Sequence, residues 1–143
     1  MDGTATTSEA SQTEPKTGWG GSVIEPVSME VIQEAARTIA GVARNTPLVP
    51  LRSYGLPEES LGIHLKLEML QDVGSFKIRG VHNWLSHLTP AERAAGLNTH
   101  SAGNTAQALG YAALRFGCNA KTLVPDRTPQ AKLDAIHRYG VDT

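Results

Sequence analysis

Residues 97–143 constrain the fold more than any other stretch. "LNTHS" alternates apolar and polar residues like a strand, and "NTAQALGYAALRF" follows as an amphipathic helix stopped by Gly117. "AKTLVP" is a second strand, and "TPQAKLDAIHRY" is a helix predicted to be capped by Thr128, started by Pro129 and ended by Gly140. Strand and helix alternating through such short connections require parallel strands joined by helical crossovers. "GVDT" begins a further strand as the sequence stops. A parallel sheet needs both faces covered and all its strands present, so the expectation is the N-terminal fragment of a longer α/β protein.

Upstream, "SMEVIQEAARTIAGVA" reads as a helix capped by Ser28, with Ile32, Ala35, Ala36, Ile39 and Ala43 at helical spacing. "NTPLVPL" is extended, because each proline pushes its predecessor away from helix. "IHLKL" alternates like a half-buried strand, and Ser75 opens a helix reaching about His87. Thr89, Pro90 and Glu92 form a capping box with proline at the first helical position. Residues 1–25, rich in Ser, Thr and Gly and without periodicity, read as a disordered tail.

Composition narrows the function by exclusion. A net charge of -1 over 143 residues gives no reason to expect nucleic acid or an anionic membrane as partner. No apolar run approaches the ~18 residues of a membrane span, and the N-terminus lacks the basic start and apolar core of a secretory signal. Cys118 is the only cysteine, which excludes an internal disulfide and a zinc site built on several thiolates, and suits a cytoplasmic location. The histidines at 64, 82, 87, 100 and 137 show no ligand spacing, so no metal site is expected.

Two stretches carry chemistry. In "VGSFKIRG" (73–80), Lys77 and Arg79 fall in the first turn of a helix, where the dipole disfavours cations by about 0.3–1 kcal/mol each. The dipole, neighbouring Arg79 and flanking Phe76 and Ile78 all disfavour the charged form of Lys77, as a nucleophilic, Schiff-base-forming amine requires. Arg79 itself reads as solvated or paired, or as an aid to an anionic ligand. In "THSAGNTAQALG" (99–110), a strand runs into a Ser-Ala-Gly-Asn turn that opens a helix. Such a turn offers free backbone N–H groups and a positive helix end, an anion site, with Ser101, Asn104 and Thr105 as donors at its rim. Ser101 or Asn104 as a plain helix cap is the competing reading.

With both motifs in this order, the chain resembles the N-terminal part of the serine/threonine dehydratases, the threonine ammonia-lyase family. These are pyridoxal-phosphate enzymes of fold type II, with the tryptophan synthase β-like architecture. The resemblance runs from Ser28 to Thr143 through "RNTPLVPLRS", "IHLKLEMLQDVGSFKIRG", "SAGNTAQALGYAALRFG" and "AKTLVPDRTPQAKLDAIHRYG". It implies that residues 26–95 begin the large cofactor-binding domain and residues 96–143 the small domain. It makes Lys77 the catalytic lysine that carries pyridoxal 5'-phosphate and takes the Cα proton. Phe76 would pack on the pyridine ring, and Asn104 would hydrogen-bond its 3-hydroxyl. The turn of Ser101, Ala102, Gly103, Asn104 and Thr105 would grip the substrate carboxylate. The implied reaction removes water and ammonia from a β-hydroxy amino acid to give a 2-oxo acid, and the full-length protein would be a homo-oligomer.

Departures from the family pattern qualify the reaction. Ala102 stands where related serine racemases have a serine, and an alanine cannot transfer a proton, which favours elimination over racemisation. Thr105 stands where dehydratases usually have histidine or a small residue, and resembles the turn of the cysteine and threonine synthases. A β-replacing synthase is therefore the alternative reaction, while Ile78-Arg79-Gly80 after the lysine has the dehydratase form. The glycine-rich phosphate loop and the partner of the pyridine nitrogen are not in these residues, so the 143-residue chain alone is expected to be inactive. A non-catalytic truncated product is the third reading.

Overall fold

The computed structural model describes residues 26–51 and 62–143; the expected tail at 1–25 lies outside them. Ten elements follow in order: α1 (Met29–Thr38), β1 (Leu48–Pro50), β2 (His64–Lys66), α2 (Lys77–His87), α3 (Pro90–Ala94), β3 (Leu97–His100), α4 (Asn104–Phe116), β4 (Ala120–Leu123), α5 (Gln130–His137) and β5 (Val141–Asp142).

The expected alternation is present. β3, β4 and β5 form a parallel sheet in sequential order, with Leu97 opposite Ala120 and Ala120 opposite Val141. α4 and α5 are the crossovers, and α4 packs on all three strands and on α5. The core lies between them: Leu97, Leu109, Ala112, Ala113, Ala120, Ile136 and Val141 are buried together with Leu85 of α2. Small residues line α4, which lets the sheet approach closely. Gly110 is the extreme case, because a Cβ there would lie 2.4 Å from Val141 Cγ2 and 2.7 Å from Tyr139 Cβ. Gly117, in the left-handed region at φ 63°, ends α4 by turning the Cys118 N–H back to Ala113 O. The opposite face of the sheet, with Asn98, His100, Lys121, Leu123 and Asp142, is exposed.

Some local expectations are corrected. β1 and β2 are not part of it: they pair antiparallel, Val49 opposite Leu65, in a separate two-stranded sheet. β2 is exposed along its length rather than half-buried. α1 starts at Ser28, whose hydroxyl accepts from Val31 N, but stops at Thr38, a turn short of Ala43. Its apolar residues Met29, Val31 and Ile32 are exposed, since no described element lies over them. Thr128 does not cap α5: its hydroxyl donates to Pro125 O, and Pro129 holds the N-cap position. The α3 capping box is complete, with Thr89 Oγ1 accepting from Glu92 N and Thr89 N donating to Glu92 Oε2.

Candidate active site

Lys77 is the first residue of α2 and is half-buried. Ser75 is not the helix cap. Phe76 takes that position in α-helical conformation and no side chain caps the end, so the first-turn N–H groups of α2 keep no side-chain partner. Ser75 is instead buried, and its hydroxyl has no hydrogen-bond partner. A buried donor in that state costs about 1–3 kcal/mol. The Phe76 ring is 57% exposed, with Lys77 Nζ 4.9 Å from its centroid.

The second motif begins α4. Gly103 is the N-cap and again no side chain caps the helix, so neither Ser101 nor Asn104 serves as one. Ser101 Oγ is spent on Gly103 N at 3.2 Å. Asn104 stands exposed at the helix start, while Ser101, Ala102, Gly103 and Thr105 are half-buried. The turn is pinned from below by Thr122 of β4, a residue that sequence reading did not single out. Its Oγ1 donates to Ser101 O at 2.8 Å and accepts from Ser101 N at 3.1 Å.

Packing brings the two motifs to one end. α2 packs against α4 more extensively than any other two elements pack. Ile78, in the first turn of α2, shares a buried cluster with Ala108 of α4. His82, one turn on, stacks on Phe116 at the far end of α4, with ring centroids 5.1 Å apart. The helices therefore run in the same sense, and both begin at the same end of the pair without side-chain caps. Burial, reinforced by the charge of Arg115, pushes the His82 imidazole down.

Arg79 is paired rather than solvated. Its Nε and Nη2 grip Glu68 at 2.9 and 2.8 Å, so its charge is balanced within its own ion pair. Glu68 also accepts from Thr46 and Gln71, and the Arg79 bonds above all hold its carboxyl down at about 2. Asp72 accepts from Arg44 and Tyr111, which likewise lower its carboxyl. A cavity of about 710 Å³ lies elsewhere, on the uncovered face of the sheet beside His100, Lys121 and His137. Neither Lys77 nor the Ser101 turn lines it except through the strand ends beneath the turn. Among the described residues no three His, Cys, Asp or Glu side chains gather as a metal site would need.

Residues 39–143 match the family of pyridoxal-phosphate dependent enzymes. The chain belongs to that family. It is 38% identical over 114 residues to the catabolic L-threonine dehydratase of Staphylococcus aureus, covering 80% of this chain and 33% of that protein. It is 41% identical over 115 residues to the L-threonine ammonia-lyase of Thermotoga maritima, covering 80% and 28%. Among solved structures, the serine racemase of Dictyostelium discoideum superposes with a TM-score of 0.69 at 37% identity, over 81% of this chain and 38% of that one. The fold is thus that of fold type II pyridoxal-phosphate enzymes, and the chain spans about a third of the length of the curated relatives it matches.

The residues present fit the cofactor. An aldehyde needs an amine, which Lys77 would supply, and an anionic cofactor needs donors, which the two helix ends would supply. The buried, unpartnered Ser75 hydroxyl lies two residues from that amine, where an anion's oxygen would satisfy it.

Proposed function

We propose that this chain forms part of a pyridoxal-phosphate-dependent lyase that removes water and ammonia from threonine or serine. One observation carries the reading: Lys77 and the Ser101–Thr105 turn open two helices that begin at the same end, both without side-chain caps. Lys77 would hold the cofactor, Phe76 would cover its ring with the exposed aromatic face, and Asn104 would donate to its 3-hydroxyl. The backbone N–H groups of the Ser101–Thr105 turn that no side chain takes, those of Ala102, Asn104 and Thr105, would bind the substrate carboxylate, fixing Cα beside the Lys77 amine. That amine, once free, takes the Cα proton. Pyridoxal phosphate, when bound, supplies the electron sink that makes this proton removable. Loss of the β-hydroxyl as water, followed by hydrolysis, gives the 2-oxo acid and ammonia. The methyl of Ala102 has no proton to deliver to the opposite face of Cα, which supports elimination over racemisation.

Residues 26–95 and 96–143 would belong to a larger and a smaller domain, with the α2–α4 contact as the joint between them. Homo-oligomerisation of the whole protein and a cytoplasmic setting, which the free Cys118 suits, complete the proposal.

The test is where the cofactor attaches. The chain is incubated with pyridoxal phosphate, reduced with borohydride, digested and mapped by mass spectrometry. Lys77 is half-buried, whereas Lys66, Lys121 and Lys132 are exposed. Label concentrated on Lys77, and abolished there in Lys77→Ala, supports the reading. Label spread over the exposed lysines with Lys77 no more reactive than they are would overturn it.

A further inference from the structure

We infer that Arg79 and Glu68 are positioning residues for Lys77: their ion pair sets the rotation of the first turn of α2 and so aims the lysine side chain. The inference rests on the proposed role of Lys77 and deepens it.

The geometry is that of a closed clasp. Glu68 lies in a 3-10 turn, Glu68–Leu70, between β2 and α2. Each of its oxygens receives two donors. Oε1 accepts from Arg79 Nη2 at 2.8 Å and Thr46 Oγ1 at 2.5 Å. Oε2 accepts from Arg79 Nε at 2.9 Å and Gln71 Nε2 at 3.2 Å. Arg79 spends a further N–H on Arg44 O at 2.9 Å, and Gln71 Nε2 donates to the same carbonyl at 2.9 Å. Gln71 Oε1 accepts from Arg44 N at 2.8 Å, so the 44–46 segment is tied to the chain on both sides of Lys77. The pair is partly shielded, with the Arg79 and Glu68 side chains 31% and 16% exposed.

Direction assigns the role. Successive helical residues turn by about 100°, so Arg79 and Lys77, two apart, project from nearly opposite sides of α2. Arg79 therefore holds the helix from the side away from the amine and touches no reacting group. A planar fork on a carboxylate fixes orientation as well as distance, which a single point charge does not. The segment before Lys77 needs such an outside hold, because Phe76 provides no side-chain cap and Ser75 Oγ makes no bond.

The experiment measures aim rather than stability. The full chain and its Arg79→Met and Glu68→Gln variants are treated with pyridoxal phosphate and reduced under native conditions. The readout is the ratio of pyridoxyl label on Lys77 to that on Lys121 and Lys132, with far-UV circular dichroism and the melting midpoint recorded for each protein. The inference expects each variant to lower the ratio about tenfold or more, the scale on which displacing a reacting group by ~1 Å acts. The double variant should lose no more than either single one, because the two side chains act as one device. Should Arg79→Met fail to keep its dichroism, the isosteric Glu68→Gln decides. A lower midpoint with an unchanged ratio overturns the inference and leaves the role of Lys77 standing. A wild-type chain that does not favour Lys77 at all removes both.

Discussion

Thr122 Oγ1 exchanges two hydrogen bonds with the backbone of Ser101, donating to its carbonyl at 2.8 Å and accepting from its N–H at 3.1 Å. Thr122 is 2% exposed and Ser101 half-buried, so these bonds are partly shielded from water. They extend the β3–β4 ladder beyond its last pair, His100 opposite Leu123, and hold the first residue of the turn that opens α4. Thr122→Val keeps the shape and removes both bonds, leaving the N–H and carbonyl of half-buried Ser101 without this partner. The expected loss is about 1–3 kcal/mol, read as a lower urea midpoint at unchanged slope. Thr122→Ser keeps the hydroxyl and should lose less. A valine variant as stable as the parent would mean that the turn is held by other contacts.

Glu68 gives the chain a predictable acid response. Its carboxyl is lowered from 4.5 to about 2, chiefly by the Arg79 bonds, so its stabilising contribution is full above about pH 4.5. It is lost as the pH falls from there towards 2, where the folded carboxyl also protonates. The shift converts to about 3 kcal/mol as an upper limit, and solvent screening of this partly exposed pair brings the contribution to on the order of 1–2 kcal/mol. Glu68→Gln should therefore be less stable than the parent near pH 7, with the gap closing as the pH approaches about 2. Urea titrations at several pH values test this, and a gap that stays constant with pH would show that the carboxylate's charge is not what matters.

What the sequence made legible, and what it did not, divides along sequence distance. The α3 capping box joins Thr89 to Glu92 within one turn, and the glycine after Phe116 ends α4 at the next residue. Both signals are local and both are found. The strand–helix rhythm of residues 97–143 was readable because each element carries its own period. Ser75 looked like a cap by residue type, yet the preceding Gly74 at φ 69° turns the chain so that Ser75 is buried. Whether Arg79 is solvated or paired stays open in the sequence because Glu68 is 11 positions away, across a 3-10 turn with no sequence signature. Thr122 could not be recognised as the support of Ser101, since only the parallel pairing of β3 and β4 brings them together. The α1 spacing predicts a helix and α1 is one, but a period shows which residues share a face and not whether another element covers it.

Two helical glycines should respond in opposite directions to the same substitution. Glycine inside a helix costs about 1 kcal/mol relative to alanine, so alanine is favoured wherever the methyl has room. Around Gly80 of α2 nothing lies within 4 Å of the added Cβ, and Gly80→Ala should raise the stability by about 0.5–1 kcal/mol. At Gly110 the same methyl would meet Val141 Cγ2 at 2.4 Å, Tyr139 Cβ at 2.7 Å and Tyr139 O at 2.9 Å. Two of these three atoms are a backbone oxygen and a Cβ, which cannot swing aside as the end of a flexible chain can. Overpacking of that kind costs about 1–3 kcal/mol and outweighs the propensity gain, so Gly110→Ala should lower the melting midpoint while Gly80→Ala raises it. The strain would fall on the junction of α5 with β5, so Gly110→Ala should also speed amide exchange at Val141, the strand residue that α4 holds against β4. A Gly110→Ala protein with unchanged midpoint and exchange would mean that β5 does not sit on α4 as closely as described.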